Sequence, residues 1–455
     1  MAVNTEQAAV RIPPGPRLPK SLQYLLVVTS QRPAVHVLRR RYGPAFSVNM
    51  MTLGPAVVIS DPALVRELFL ASTDVVGRME ITLGRAFGPG SMFSVEGEVH
   101  HQHRKLLMPP LHGQRMQSYE AIVEEETMRE AASWPQDRPF ETLAPMTRIT
   151  LNVMLRAIFG TDGAQVDALR VLAPRLTTLG TRLFLLPMPR LGLGRLTPWG
   201  RFYQYRRQFD AAVDALIAEA LADPAFAQRR DLLSIMLRAR YDDGEPMSHR
   251  EIADEVLTLL LAGHETTAGT LAWAIERLRR HPSVLARLVR EADAGGSELR
   301  RATITEVQRI RPVVDIVARR VLADSLRLGE WVIPRGYSVI VGIGLMHADD
   351  SLFPDAAVFD PDRFVGVRPD RYAWVPFGGG YRRCIGAAFA GMEMDVVLRT
   401  LLREFELGTT SEPDERWRSR GLTFVPAKGG RAVVRRRCRS GDAALDGDGL
   451  ANWQS

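Results

Sequence analysis

The chain has 455 residues, 46% hydrophobic and 24% charged, and its net charge of +7 at pH 7 rests almost wholly on arginine, lysine standing only at positions 20, 105 and 428. Two cysteines, Cys384 and Cys438, exclude a disulfide framework and point to a reducing, cytoplasmic compartment. The arginines are scattered without an aromatic-basic stripe, which argues against nucleic acid and for an acidic protein partner. No linker, repeat or low-complexity tract divides the sequence, so a single domain over 1–455 is expected.

At the N-terminal side, Pro13-Pro14-Gly15-Pro16 reads as a stiff lead-in to the fold. The apolar run Leu22 to Thr29 is too short to cross a bilayer and no signal-peptide pattern precedes it, so no membrane anchor is expected. Short strands are predicted at Ala45–Asn49, Ala56–Ser60, Ser338–Val341 and Ala432–Arg435, with helices filling most of 100–311 and 386–404. The tail Ser440–Ser455 reads as disordered, and Cys438, among Arg435, Arg436, Arg437 and Arg439, as a free thiol near a strand end.

The stretch Gly97 to Lys105 carries His100, His101, His103 and Arg104. A zinc reading lacks Cys or acidic partners at structural-zinc spacing, whereas His100 and Arg104, four apart on a helix, suit an anion. Arg182 to Leu193 is too broken by Pro and Gly for a helix and too apolar for a solvated loop. A mobile lid over an apolar pocket, plain packing on the core and a passing membrane contact remain open for it.

Ser248-x-x-Glu251 is a capping-box pattern that opens a helix of about thirty residues ending before His281-Pro282. Within it Ala262-Gly263 allows close approach of a flat ligand, and Glu265-Thr266 sets an acid beside an alcohol, a pair able to relay protons. The plainer role for Thr266 is a hydroxyl bonded back to the preceding turn. Glu306 and Arg309 share a helix face that ends at Pro312, and Phe359 to Phe364 brings Arg363 downstream. Finally Phe377-Gly378-Gly379-Gly380-Tyr381-Arg382-Arg383-Cys384-Ile385-Gly386 delivers one cysteine at a helix start. The glycines let the backbone pass close to a bulky ligand and aim N–H groups at the sulfur, where the helix dipole favours thiolate.

This last loop, with the other motifs in the same order, resembles the cytochrome P450 family over roughly residues 30–438. The resemblance implies a mainly α fold with a small β region and haem b (iron protoporphyrin IX) between the long helix and the cysteine loop, with Cys384 as axial iron ligand. It further implies Ala262, Phe377 and Gly386 against the macrocycle, and His100, Arg104, Arg320 and Arg382 at the propionates. Arg320 is chosen over Arg319 by its spacing to Ile333-Pro334-Arg335-Gly336. Thr266 and Glu265 would guide protons on the distal side, while Glu306, Arg309 and Arg363 would form a structural cluster below the loop. Ile81–Met92 and Val313–Ala318 match pocket-lining segments that are apolar except for Asp315, Arg85 and neighbours.

The activity implied is a monooxygenase that inserts one atom of O2 into a lipophilic small molecule such as a fatty acid, terpenoid or sterol-like compound. The alternative is a haem-thiolate protein that binds a ligand or senses a gas. The triple glycine lacks the strand-then-helix setting of a dinucleotide site, so electrons are expected from a separate ferredoxin or flavodoxin with its reductase.

Overall fold

The computed structural model describes residues 9–437 apart from 51–53, 80–83, 85–86, 114, 184–193 and 195–196. The expected lid over 182–193 falls outside them except at its start, and Cys438 and the tail 440–455 fall outside them altogether.

The fold is mainly α with a small β region. After α1 (Lys20–Tyr42) the chain forms β1 (Ala45–Met50), β2 (Gly54–Ile59), α2 (Pro62–Leu70) and β3 (Val76–Gly77). These strands join β4 (Ile316–Val321) and β5 (Ser338–Gly342) in one sheet of order β1-β2-β5-β4-β3. The pair β2 and β5 is parallel, with Ala56 opposite Ser338, and the other pairs are antiparallel. Val57, Ile59, Val339 and Val341 on one face and Val58 and Ile340 on the other are all buried, as expected of central strands covered on both faces. The predicted strand 432–435 splits instead into Arg431–Ala432 and Val434–Arg436, which pair with different partners, Phe140–Glu141 and Phe405–Leu407.

The helical body contains α3 (Gly97–Leu107), α4 (Leu143–Phe159), α5 (Ala164–Leu183), α6 (Pro198–Ala222), α7 (His249–Arg280), α8 (Glu298–Ile310) and α9 (Ala387–Glu404). Helix α7 is 32 residues, ~48 Å, long, opened by the Ser248–Glu251 capping box and stopped ahead of Pro282. It is buried on all sides over most of its length, the acids Asp254, Glu255 and Glu265 included. Leu261, Ala262, Gly263 and Thr266, in its middle, are only half-buried.

Helix α8 reaches the segment that leads to the cysteine loop through charge. Glu306 and Arg309, both fully buried, form a two-pronged pair with Oε2–Nε and Oε1–Nη2 each at 2.7 Å. Arg309 then donates to the carbonyls of His347, Ala356 and Val358, while Glu306 accepts from the Asp360 N–H at 2.9 Å. Arg363 adds a longer contact to Glu306 at 3.5 Å. His347 in turn accepts from the Val375 N–H at 3.2 Å, two residues before Phe377. Glu306→Ala would strand the Arg309 guanidinium in the core, so a loss of about 3–5 kcal/mol in urea unfolding is expected; a loss within the usual surface range would mean the pair is dispensable.

Candidate haem-binding site

The cysteine loop is pressed onto the end of α2. A Cβ on Gly379 would come within 2.1 Å of the Phe69 ring, and one on Gly380, whose φ is +65°, within 2.5 Å of the Phe69 carbonyl oxygen. No other residue fits there. The Cys384 N–H donates to the Phe377 carbonyl at 3.0 Å, closing the loop, and α9 starts at Ala387. Cys384 reaches solvent-accessible space, yet it sits deep enough that burial pushes its thiol up. The Gly386 N–H, Arg383 and Arg104 pull the other way. A metal ion at the sulfur would favour the deprotonated form outright.

Cations gather beside this loop. His100 of α3 is buried against Tyr381 edge to face at 5.8 Å, and burial with Arg382, Arg104, His103 and Arg319 nearby pushes it down to about 3. Arg104 donates to the Arg383 carbonyl at 2.6 Å, Arg319 to Gly379 at 3.0 Å, and Arg382 to Met92 at 2.8 Å and to Val95. Among the described residues none of these three guanidiniums forms an ion pair.

Arg320, the expected member of this group, stands on the opposite face of β4 from Arg319. Successive residues of β4 face opposite sides of the sheet, and Arg319 is the one buried toward Tyr381 and Phe69. Arg320 lies opposite Gly77 and extends toward Gly336 on the other face.

Two further ties, not anticipated from sequence, fix α3 and its lead-in to α7. His103 pairs through Nδ1 with Glu255 at 2.8 Å, and its Nε2 meets the Tyr241 hydroxyl at 2.9 Å. Burial pushes the Glu255 carboxyl up against the pull of that histidine. Asp254 accepts from the Gly90 N–H at 2.9 Å and pairs with Arg206 of α6, which also donates to the Phe87 carbonyl at 2.7 Å. Acids inside a long apolar helix were the available signal. Asp315, a polar exception in an expected pocket segment, is held by Arg32 of α1 at 3.2 Å.

Further along α7, the Thr266 hydroxyl donates back to the Ala262 carbonyl at 2.9 Å, the plainer arrangement open to it, and its oxygen can still accept a proton donor. Glu265 is buried, which raises its carboxyl, while Arg420 at 3.4 Å opposes the rise. Glu393 of α9 is fully buried beside Thr267, but that hydroxyl donates to Gly263, so neither Glu393 oxygen has a well-formed hydrogen bond.

The residues fit a haem. A thiol stands on a glycine loop, a Cβ on Gly386 would meet none of the described residues within 4 Å, and three guanidiniums nearby, in no ion pair among the described residues, call for anionic groups such as propionates.

This fold and donor set define a haem-thiolate protein. The family model described as cytochrome P450 matches residues 13–430. The protein named cytochrome P450 138 of Mycobacterium tuberculosis is 54% identical over 428 residues, covering 94% of this chain and 97% of the relative. Cytochrome P450 135B1 of Mycobacterium bovis is 39% identical over 438 residues, covering 94% and 92%. Among solved structures, retinoic acid bound cyanobacterial CYP120A1 superposes with a TM-score of 0.82 at 24% identity, covering 94% of this chain and 100% of that one. The cytochrome P450DA heme domain gives 0.80 at 24%, covering 94% and 98%. The chain belongs to the cytochrome P450 family. It is accordingly a monooxygenase that binds haem b, uses O2 and draws electrons from a redox partner.

Each charged group above implies a measurement. Arg319→Ala should weaken haem retention about tenfold to a hundredfold, the worth of a charge-assisted hydrogen bond, as read from the haem-to-protein ratio after dilution and gel filtration. Arg320→Ala should retain haem like the parent, and the reverse order would assign the propionate contact to Arg320. Glu393 gives a pH dependence. Its carboxyl is raised well above 4.5 by burial, so the stability it contributes is complete below the unfolded value and is lost as pH rises through the folded one. Glu393→Gln should therefore gain in melting temperature relative to the parent between about pH 5 and 8; a constant difference would mean the carboxyl does not titrate there.

Proposed function

We propose that Cys384 is the axial thiolate of the haem iron and that His100, Arg104, Arg319 and Arg382 hold the propionates. In the same reading Ala262, Phe377 and Gly386 lie against the macrocycle, Glu306, Arg309 and Arg363 support the loop, and residues 1–455 form one domain. What carries it is the gathering of three guanidiniums and a neutral histidine round the Cys384 loop with no carboxylate among the described residues in ion-pair contact.

Haem bound there would supply the activation of O2 for insertion of one oxygen atom into a C–H bond. The chain's own residues hold it, exclude water and move protons. Glu265 takes a proton from the solvent side and gives it to the Thr266 oxygen, while the Thr266 hydroxyl, turning away from the Ala262 carbonyl, hands its own proton on to the distal side.

The substrate class is lipophilic. Val313 packs on Gly269 of α7, and Val317 of β4 faces the cysteine loop at Gly378, so the described pocket-lining segment presents apolar side chains. The electron donor is a small acidic ferredoxin or flavodoxin, for which the arginine-borne charge of +7 and the exposed Arg383 beside Cys384 are suited. Use of only two cysteines suits a cytoplasmic setting.

Reduced protein under carbon monoxide should show the red-shifted Soret band of a thiolate-ligated haem, and Cys384→Ala should abolish it. A variant that keeps the band places the ligand elsewhere.

A further inference from the structure

The hairpin of β6 (Trp417–Ser419) and β7 (Phe424–Pro426) lies along α7. Trp273 donates through its indole to the Phe424 carbonyl at 3.1 Å, and Val425 sits where a Cβ on Gly269 would touch it at 3.4 Å. From Trp273 the hairpin runs back toward the helix middle, so its tip, Arg420 to Thr423, closed by Arg420 N–H to Thr423 carbonyl at 2.8 Å, falls over Glu265. Arg420 Nε is 3.4 Å from Glu265 Oε1. The acid's side chain is 6% exposed and the arginine's 31%, so the pair spans from the interior to solvent.

Among the described residues Arg420 is the only cation in ion-pair contact with Glu265. His264 beside it on α7 is held near a pKa of about 4 by burial and is neutral at pH 7, with Nδ1–H donating to the Leu260 carbonyl. Helix α4 brings only uncharged groups, Thr150 to the His264 carbonyl and Met154 against Gly263. The charge state and direction of the Glu265 carboxylate thus rest on the hairpin tip.

We propose that Arg420 is the positioning residue of the Glu265–Thr266 relay, holding the acid from the hairpin tip at the point where it meets solvent. The proposal rests on the relay described above. A proton from bulk water at the tip reaches the carboxylate beside Arg420, and movement of the hairpin, whose Phe424 N–H donates to the carbonyl of the pocket residue Val313 at 2.8 Å, would release or realign the acid. A buried carboxyl needs an opposite charge to stay ionised, and here one flexible side chain provides it.

The test titrates Glu265 in the haem-loaded protein by infrared difference spectroscopy, its protonated carboxyl band being the one lost in Glu265→Gln. In Arg420→Gln the midpoint should move to higher pH, and Arg420→Lys should bring most of the shift back. Peroxide released per electron consumed, with a surrogate ferredoxin and reductase, should rise several-fold in Arg420→Gln toward the level of Glu265→Gln and Thr266→Ala, and Arg420→Lys should be intermediate. An unmoved midpoint in Arg420→Gln overturns the proposal and leaves the relay standing. Parent-like peroxide release in both Glu265→Gln and Thr266→Ala overturns the relay itself, and the part of Arg420 with it.

Discussion

The buried pair of Glu306 and Arg309 fixes the floor of the site. Two full charges removed from water are tolerable only when each finds its partner and its remaining hydrogen bonds, and here Arg309 satisfies three carbonyls while Glu306 takes a backbone N–H. Those carbonyls belong to 347–358, and His347 passes the constraint on to Val375 and so to the loop that carries Cys384. The position of one sulfur is therefore set by a charge pair on a helix that does not touch it.

A second constraint is the sorting of charge around the site. Next to the cysteine loop stand His100 and the arginines Arg104, Arg319 and Arg382, each of which gives part of its donors to backbone carbonyls. Along the middle of α7 and behind it stand acids, Glu265 and Glu393, in surroundings that favour their neutral forms. An anionic ligand edge is favoured at the first place, and proton-carrying carboxyls at the second. The same helix is tied down at its N-terminal half by Glu255 to His103 and by Asp254 to Arg206 and Gly90. Both ends of the site thus share one rigid element.

Much of this was legible in the sequence because it is written in local chemistry. Ser248 and Glu251 cap a helix whatever surrounds it, Pro282 stops it, and Gly379 and Gly380 announce a backbone that tolerates no side chain. Glu306 and Arg309 share a face by helical spacing alone. The order of these pieces sufficed to name the family and its cofactor.

What the sequence by itself left open were choices between neighbours and contacts across long stretches of chain. Arg319 and Arg320 differ by one position in a strand whose faces are assigned by the sheet it joins, so spacing to a later turn does not say which of them turns toward the Cys384 loop. Arg420 reaches Glu265 only because a hairpin more than a hundred residues downstream folds back along α7. Asp315 likewise meets Arg32 from the far N-terminal helix. Local spacing determines which residues share a face of an element; which face turns inward, and what meets it there, follows from the burial of apolar surface across the whole chain.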